Sequence, residues 1–111
     1  MEESGVDRDR FIREVLEVYR KTPGTMGVVR RHDRLVAAQL DQRCVSLTTI
    51  ENSLVLATAR RMIRPAGSLP LGPIRSLAYF LPVIEEVIGM HASPDYFRYL
   101  RHKIARLAAD R

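Results

Sequence analysis

The sequence predicts an all-α fold, a compact bundle of about five helices, and three observations predict it. Apolar residues recur every three to four positions along most of the chain, the spacing that lines one side of a helix. Proline, glycine and capping residues punctuate those stretches. No run reads as a strand; Val28-Val29 could extend briefly, but two residues do not make a sheet.

Residues 1–6 are terminal and polar and contain Gly5, so they read as a disordered N-terminus ahead of a single helical domain over 7–109. The first helix is expected over 7–21. Phe11, Ile12, Val15, Leu16, Val18 and Tyr19 make its apolar stripe, and Asp7 and Asp9 stand near its positive end. Thr22-Pro23-Gly24 stops it, because Pro23 cannot extend the amide ladder and Gly24 tolerates positive φ. A loop over 25–31 leads to a second helix over 32–43, with Leu35, Val36, Ala38, Gln39 and Leu40 on its inner face.

Cys44-Val45 is a tight connection, and Ser46 reads as the N-cap of a third helix over 47–64. Leu47, Ile50, Leu54 and Ala57 form one stripe of that helix, and Val55, Met62 and Ile63 widen it. A helix apolar on so much of its circumference belongs at the centre of a bundle. The segment 65–73, PAGSLPLGP, is the clearest break in the chain and reads as an ordered connection over the core. A fourth helix over 74–89 turns Leu77, Phe80, Leu81, Ile84, Val87 and Ile88 inward. Pro82 lies inside it and predicts a kink or a break into two pieces. Ser93-Pro94 opens the last helix, which runs to 109 with Phe97, Leu100, Ile104 and Leu107 inward.

At 111 residues and 46% apolar, the chain can bury one modest core and is not broadly disordered. It has no Trp, so that core must come mainly from Leu, Ile, Val, Ala and Met. A single cysteine, Cys44, excludes an internal disulfide. The charged first ten residues lack the apolar centre of a signal peptide, and no apolar run approaches the ~20 residues that cross a bilayer. The expected setting is cytoplasmic, without membrane contact.

The net charge of +5 is unevenly placed. Residues 1–55 hold nine basic and nine acidic side chains, whereas 56–111 hold nine basic and four acidic. The whole excess lies in the second half, which favours a polyanionic partner such as DNA.

Catalytic chemistry finds little support. His32, His91 and His102 lie in separate segments without metal-ligand spacing, and the one cysteine completes no zinc set. Each histidine reads as a surface or loop residue, and Cys44 as a small, partly buried turn residue. Glu85 and Glu86 are adjacent, so they point to different sides of a helix and read as a solvated face. Ser46 fits a cap better than a nucleophile, and the glycine-containing stretches lack the Lys-Ser or Lys-Thr of a phosphate loop. No enzyme, cofactor or metal is expected.

Residues 35–54, LVAAQLDQRCVSLTTIENSL, allow two readings. One is a helix-turn-helix whose second helix presents Thr48, Thr49 and Asn52 to base edges, since Asn can hydrogen-bond adenine bidentately. The other is an antiparallel helical hairpin capped by Ser46. The basic residues are a separate signal. Arg60, Arg61 and Arg64 cluster at the end of the third helix, and Arg75 follows the proline-rich connection. Arg98, Arg101, His102 and Arg106 lie on the last helix opposite its apolar face, with Lys103 at one flank. Cations at a helix C-terminus offset its dipole, and a basic helix face is at home in water. If both sets project to one side, they form a phosphate-binding stripe. No aromatic residue interleaves with them, so base stacking is not expected. Tyr79, Tyr96 and Tyr99 read instead as core-edge residues or as contacts to a partner protein or a second copy.

The stretch VSLTTIENSLVLATARR followed by PIRSLAYFLPVIEEV resembles the helical pattern of replication-associated proteins of the DnaD kind and of small proteins of bacterial mobile elements. In the second part the matching positions are Ile74, Ser76, Leu77, Tyr79, Phe80, Pro82 and Ile84, and the likeness spans about 45–88. It implies a helical module that contacts DNA or a replication or recombination protein, and it carries no catalytic residues. The sequence thus leads to a non-enzymatic DNA-associated helical module, an accessory in replication or recombination of a mobile element. The alternative is a protein-interaction or homodimerising bundle that binds no nucleic acid.

Overall fold

The computed structural model describes residues 2–109. Its elements are α1 (Glu2–Lys21), α2 (Arg31–Gln42), α3 (Leu47–Met62), a 3₁₀ turn (Leu77–Phe80), α4 (Leu81–Ile88) and α5 (Pro94–Ala109). α3 is the centre, packing on α1, the 3₁₀ turn, α4 and α5. Along its length only Thr48 and Arg60 are exposed. Two apolar clusters meet on it. In the first, Ile50, Leu54 and Ala57 join side chains of α1 and α2 and Leu77, Phe80 and Ile84. In the second, Leu56 and Ala59 meet Val87, Phe97 and Leu100. A helix gripped from both sides needs apolar residues round most of its circumference, and this one has them. Each fully buried Leu, Ile or Phe contributes about 2 kcal/mol. The smaller second cluster therefore holds α5 less firmly than the first holds α1 and α2.

Local signals set the ends of these helices. The Ser46 hydroxyl oxygen accepts the Thr49 N–H at 3.1 Å and donates to Thr49 Oγ1 at 2.9 Å, so Ser46 is the N-cap of α3. After α1, Gly24 takes φ +91°, and a Cβ there would lie 3.3 Å from Arg61 Nε and 3.5 Å from Ile74 Cδ1. The bare glycine lets two loops meet. Ile74 N–H donates to the Gly24 carbonyl at 2.7 Å, and Met26 N–H donates to the Ile74 carbonyl at 3.2 Å. This parallel Thr25–Ile74 bridge is the only extended pairing among the described residues.

Several expectations are corrected. α1 starts at Glu2, not at residue 7; the added turns bury little, since Val6 is exposed, and Met1 lies outside the described residues. The inner face of α2 is Asp33, Val36, Ala37 and Leu40, while Leu35 and Gln39 face water. A carboxylate on that face shifts it away from the purely apolar pattern. α3 stops at Met62, leaving Ile63 and Arg64 exposed. Ile74–Ser76 are not helical, because Ile74 is engaged by Gly24 and Met26. The break expected at Pro82 is found: the 3₁₀ turn gives way to α4, and Pro82 sits in its first turn, where a missing N–H costs nothing. Ile88, expected inside, is exposed. Cys44 is exposed rather than partly buried.

Candidate nucleic-acid interface

The basic residues divide by what already holds them. Arg60 forms a forked ion pair with Glu86, one arm at 2.8 Å. Arg43 pairs with Glu85 at 2.5 Å, so the two adjacent glutamates do point to different sides, each fastening α4 to another helix end. These guanidinium contacts hold both glutamates below the ordinary carboxyl value of 4.5. Arg98 pairs with Asp95 at 2.7 Å, and Arg101 donates to Asn52 Oδ1 at 3.0 Å. Arg61 donates to the Gly72 carbonyl at 2.6 Å and to the Tyr79 hydroxyl at 3.2 Å. Arg64, Arg75, His102 and Arg106 are exposed, with no hydrogen-bond or ion-pair partner among the described residues.

Three shallow depressions adjoin one another across α3. One, of about 310 Å³, lies between Arg60, Arg61, Arg64, Leu71 and Tyr79. The second, of about 380 Å³, shares Arg61, Arg64 and Leu71 and reaches Pro23 and Thr58. The third, of about 330 Å³, shares Pro23 and Thr58 and continues past Leu54, Val55 and Ile104 to Lys21 and Arg101. Shared walls join them into one trough. Five cations line it, Lys21, Arg60, Arg61, Arg64 and Arg101, against one carboxylate, Glu51. The third helix and the last helix thus both contribute a basic residue to one surface. Arg75 and the outward residues Arg98, His102 and Arg106 are not among its walls.

Tyr79 stands at one end of the trough. Its ring is 45% exposed, with the Arg61 guanidinium 5.6 Å from the centroid and Phe80 edge-on at 5.2 Å. Here an aromatic ring does sit among the basic residues, contrary to expectation. Sequence order hides this, because Arg61 and Tyr79 are separated by the 65–73 connection, which folds back to bring them together. Lys21 is a further residue that sequence reasoning misses; its place at the end of α1 carries no signal until α5 is seen opposite. Tyr96 and Tyr99 are also exposed, on α5.

Between α2 and α3 the chain turns at Cys44 with φ +59°, the conformation that a helix-turn-helix usually gives to glycine. α3 nevertheless lacks a free side. Thr49 is tied to the cap, Asn52 is held by Arg101, and only Thr48 of the three suggested base readers is exposed. A capped helical hairpin describes this arrangement. His32, His91 and His102 are exposed and apart, and no three His, Cys, Asp or Glu side chains converge among the described residues. No described helix is long and apolar enough to cross a membrane.

No family model, curated protein or solved structure matches the chain.

Proposed function

We propose that this chain is a non-enzymatic nucleic-acid-binding module and that a phosphate backbone lies in the trough across α3. The observation that carries the reading is the placement of Lys21, Arg61, Arg64 and Arg101, drawn from three helices and a helix end, along one depression with a single acid. From Asn52 to Met62 the trough follows about 15 Å of helix, enough for about four phosphates. Arg60 is a support here, since Glu86 already occupies it. The likeness of 45–88 to DnaD-kind helices agrees with a role as an accessory in replication or recombination.

A mobility shift tests the proposal, using random-sequence duplex and single strand at about 50 and 200 mM salt. The wild type binds at the lower salt and is released at the higher. Replacing Lys21, Arg64 and Arg101 by Ala weakens binding at least ~10-fold. Absence of binding to both forms at the lower salt refutes the reading.

One observation favours a second reading. Ile63, Leu69 and Leu71 are all exposed beside the trough, Leu69 by 81%. Apolar side chains so placed suit a protein partner or a second copy of the chain. A stable dimer in sedimentation, indifferent to salt and to nucleic acid, would favour that reading.

A further inference from the structure

We infer that the trough takes single-stranded nucleic acid in preference to duplex, with Tyr79 as a stacking platform for a base. This rests on the nucleic-acid reading above and adds the class of strand.

Two features of the trough argue for it. First, its floor is apolar while its rim is cationic. Leu54, Val55, Ile104 and Leu71 lie between Lys21 and Arg101 at one end and Arg61 and Arg64 at the other. A duplex keeps its bases stacked inside and shows a rounded protein surface mainly sugar and phosphate, so such a floor gains nothing from it. A single strand can turn base faces to the floor and phosphates to the rim. Second, Tyr79 is a fixed, half-open ring. Phe80, fully buried, braces it edge-on, and its hydroxyl accepts a hydrogen bond from Arg61. An aromatic ring held beside two arginines offers a base a face and its phosphate a charge. α3, the helix under the trough, is enclosed and cannot enter a duplex groove.

Fluorescence anisotropy on the whole chain tests this, with a fluorescein-labelled oligo-dT of about 15 nucleotides and a duplex of equal length at low salt. The single strand is expected to bind ~10-fold tighter or more. Tyr79→Ala weakens single-strand binding by about 10-fold and leaves duplex binding unchanged, while Tyr79→Phe keeps the preference. Leu71→Ser, at an exposed position, provides a second variant if Tyr79→Ala fails to fold; it too weakens only the single strand. Equal affinity for both forms, or a Tyr79→Ala or Leu71→Ser protein that folds and binds oligo-dT normally, overturns the inference and leaves the broader reading standing. Displacement of oligo-dT by an acidic peptide at equal concentration also overturns it, in favour of a protein partner. Failure to bind either nucleic acid removes the broader reading as well.

Discussion

Asp33 is the one charged side chain that the described fold buries, at 1% exposure. Oδ2 accepts the Arg30 N–H at the start of α2, and Oδ1 accepts the Leu77 N–H at the start of the 3₁₀ turn, both at 2.8 Å. One carboxylate therefore ties together segments 44 residues apart. Nearby, Tyr19 is fully buried with a hydroxyl that has no partner; burial, then the Asp33 charge, pushes its pKa up, so it stays neutral. Replacing Asp33 by Ala leaves two amide donors unpaired. We predict a loss of about 3 kcal/mol in urea unfolding, and a loss below ~1 kcal/mol would contradict this role. Cys44 gives a prediction of opposite sign. Its left-handed φ of +59° suits glycine, and its side chain is exposed. Cys44→Gly should stabilise the chain by about 0.5–1 kcal/mol in the same assay, and a loss of stability would show that the side chain packs.

At the scale of elements, α4 is the instructive case. It has eight residues, too few to persist alone, and it is anchored at both flanks. Ile84 and Val87 fix its inner side, while Glu85 and Glu86 reach Arg43 and Arg60 on either side. Both glutamates titrate lower folded than unfolded. Their contribution is complete above the ordinary value of 4.5 and fades as pH falls through the lowered folded values. Thermal melts between about pH 5 and 3 should show the wild type losing stability faster than a Glu85→Gln/Glu86→Gln variant. Parallel curves for the two would contradict the clamp. Because both pairs are exposed, added salt should shrink the difference.

The whole molecule shows what a linear reading can and cannot reach. Helix periodicity, the Ser46 cap, the stop at Pro23-Gly24 and the break at Pro82 are local, and each is legible in the sequence. The turning of α2 is not, because Asp33 counts as a surface residue until Leu77 is known to donate to it. Ile74 reads as helical because its partner, Gly24, lies far upstream in the chain. The same limit applies to the trough. Arg61, Arg64 and Arg101 stand out as basic clusters, but Lys21 and the nearness of Tyr79 to Arg61 emerge only after the chain folds back. Among the residues that charge and spacing suggest, Arg98 is taken by Asp95 and Asn52 by Arg101, so charge alone overstates the contact surface.

The salt dependence of binding is the most direct test of the central claim, that the trough holds a phosphate backbone. The logarithm of the association constant should fall linearly with the logarithm of salt concentration. Changing Arg64 and Arg101 to Ala should lessen that slope by about 1.4, roughly 0.7 for each single-strand phosphate that is no longer neutralised. A slope unchanged by the double substitution would place the binding surface elsewhere and contradict the account.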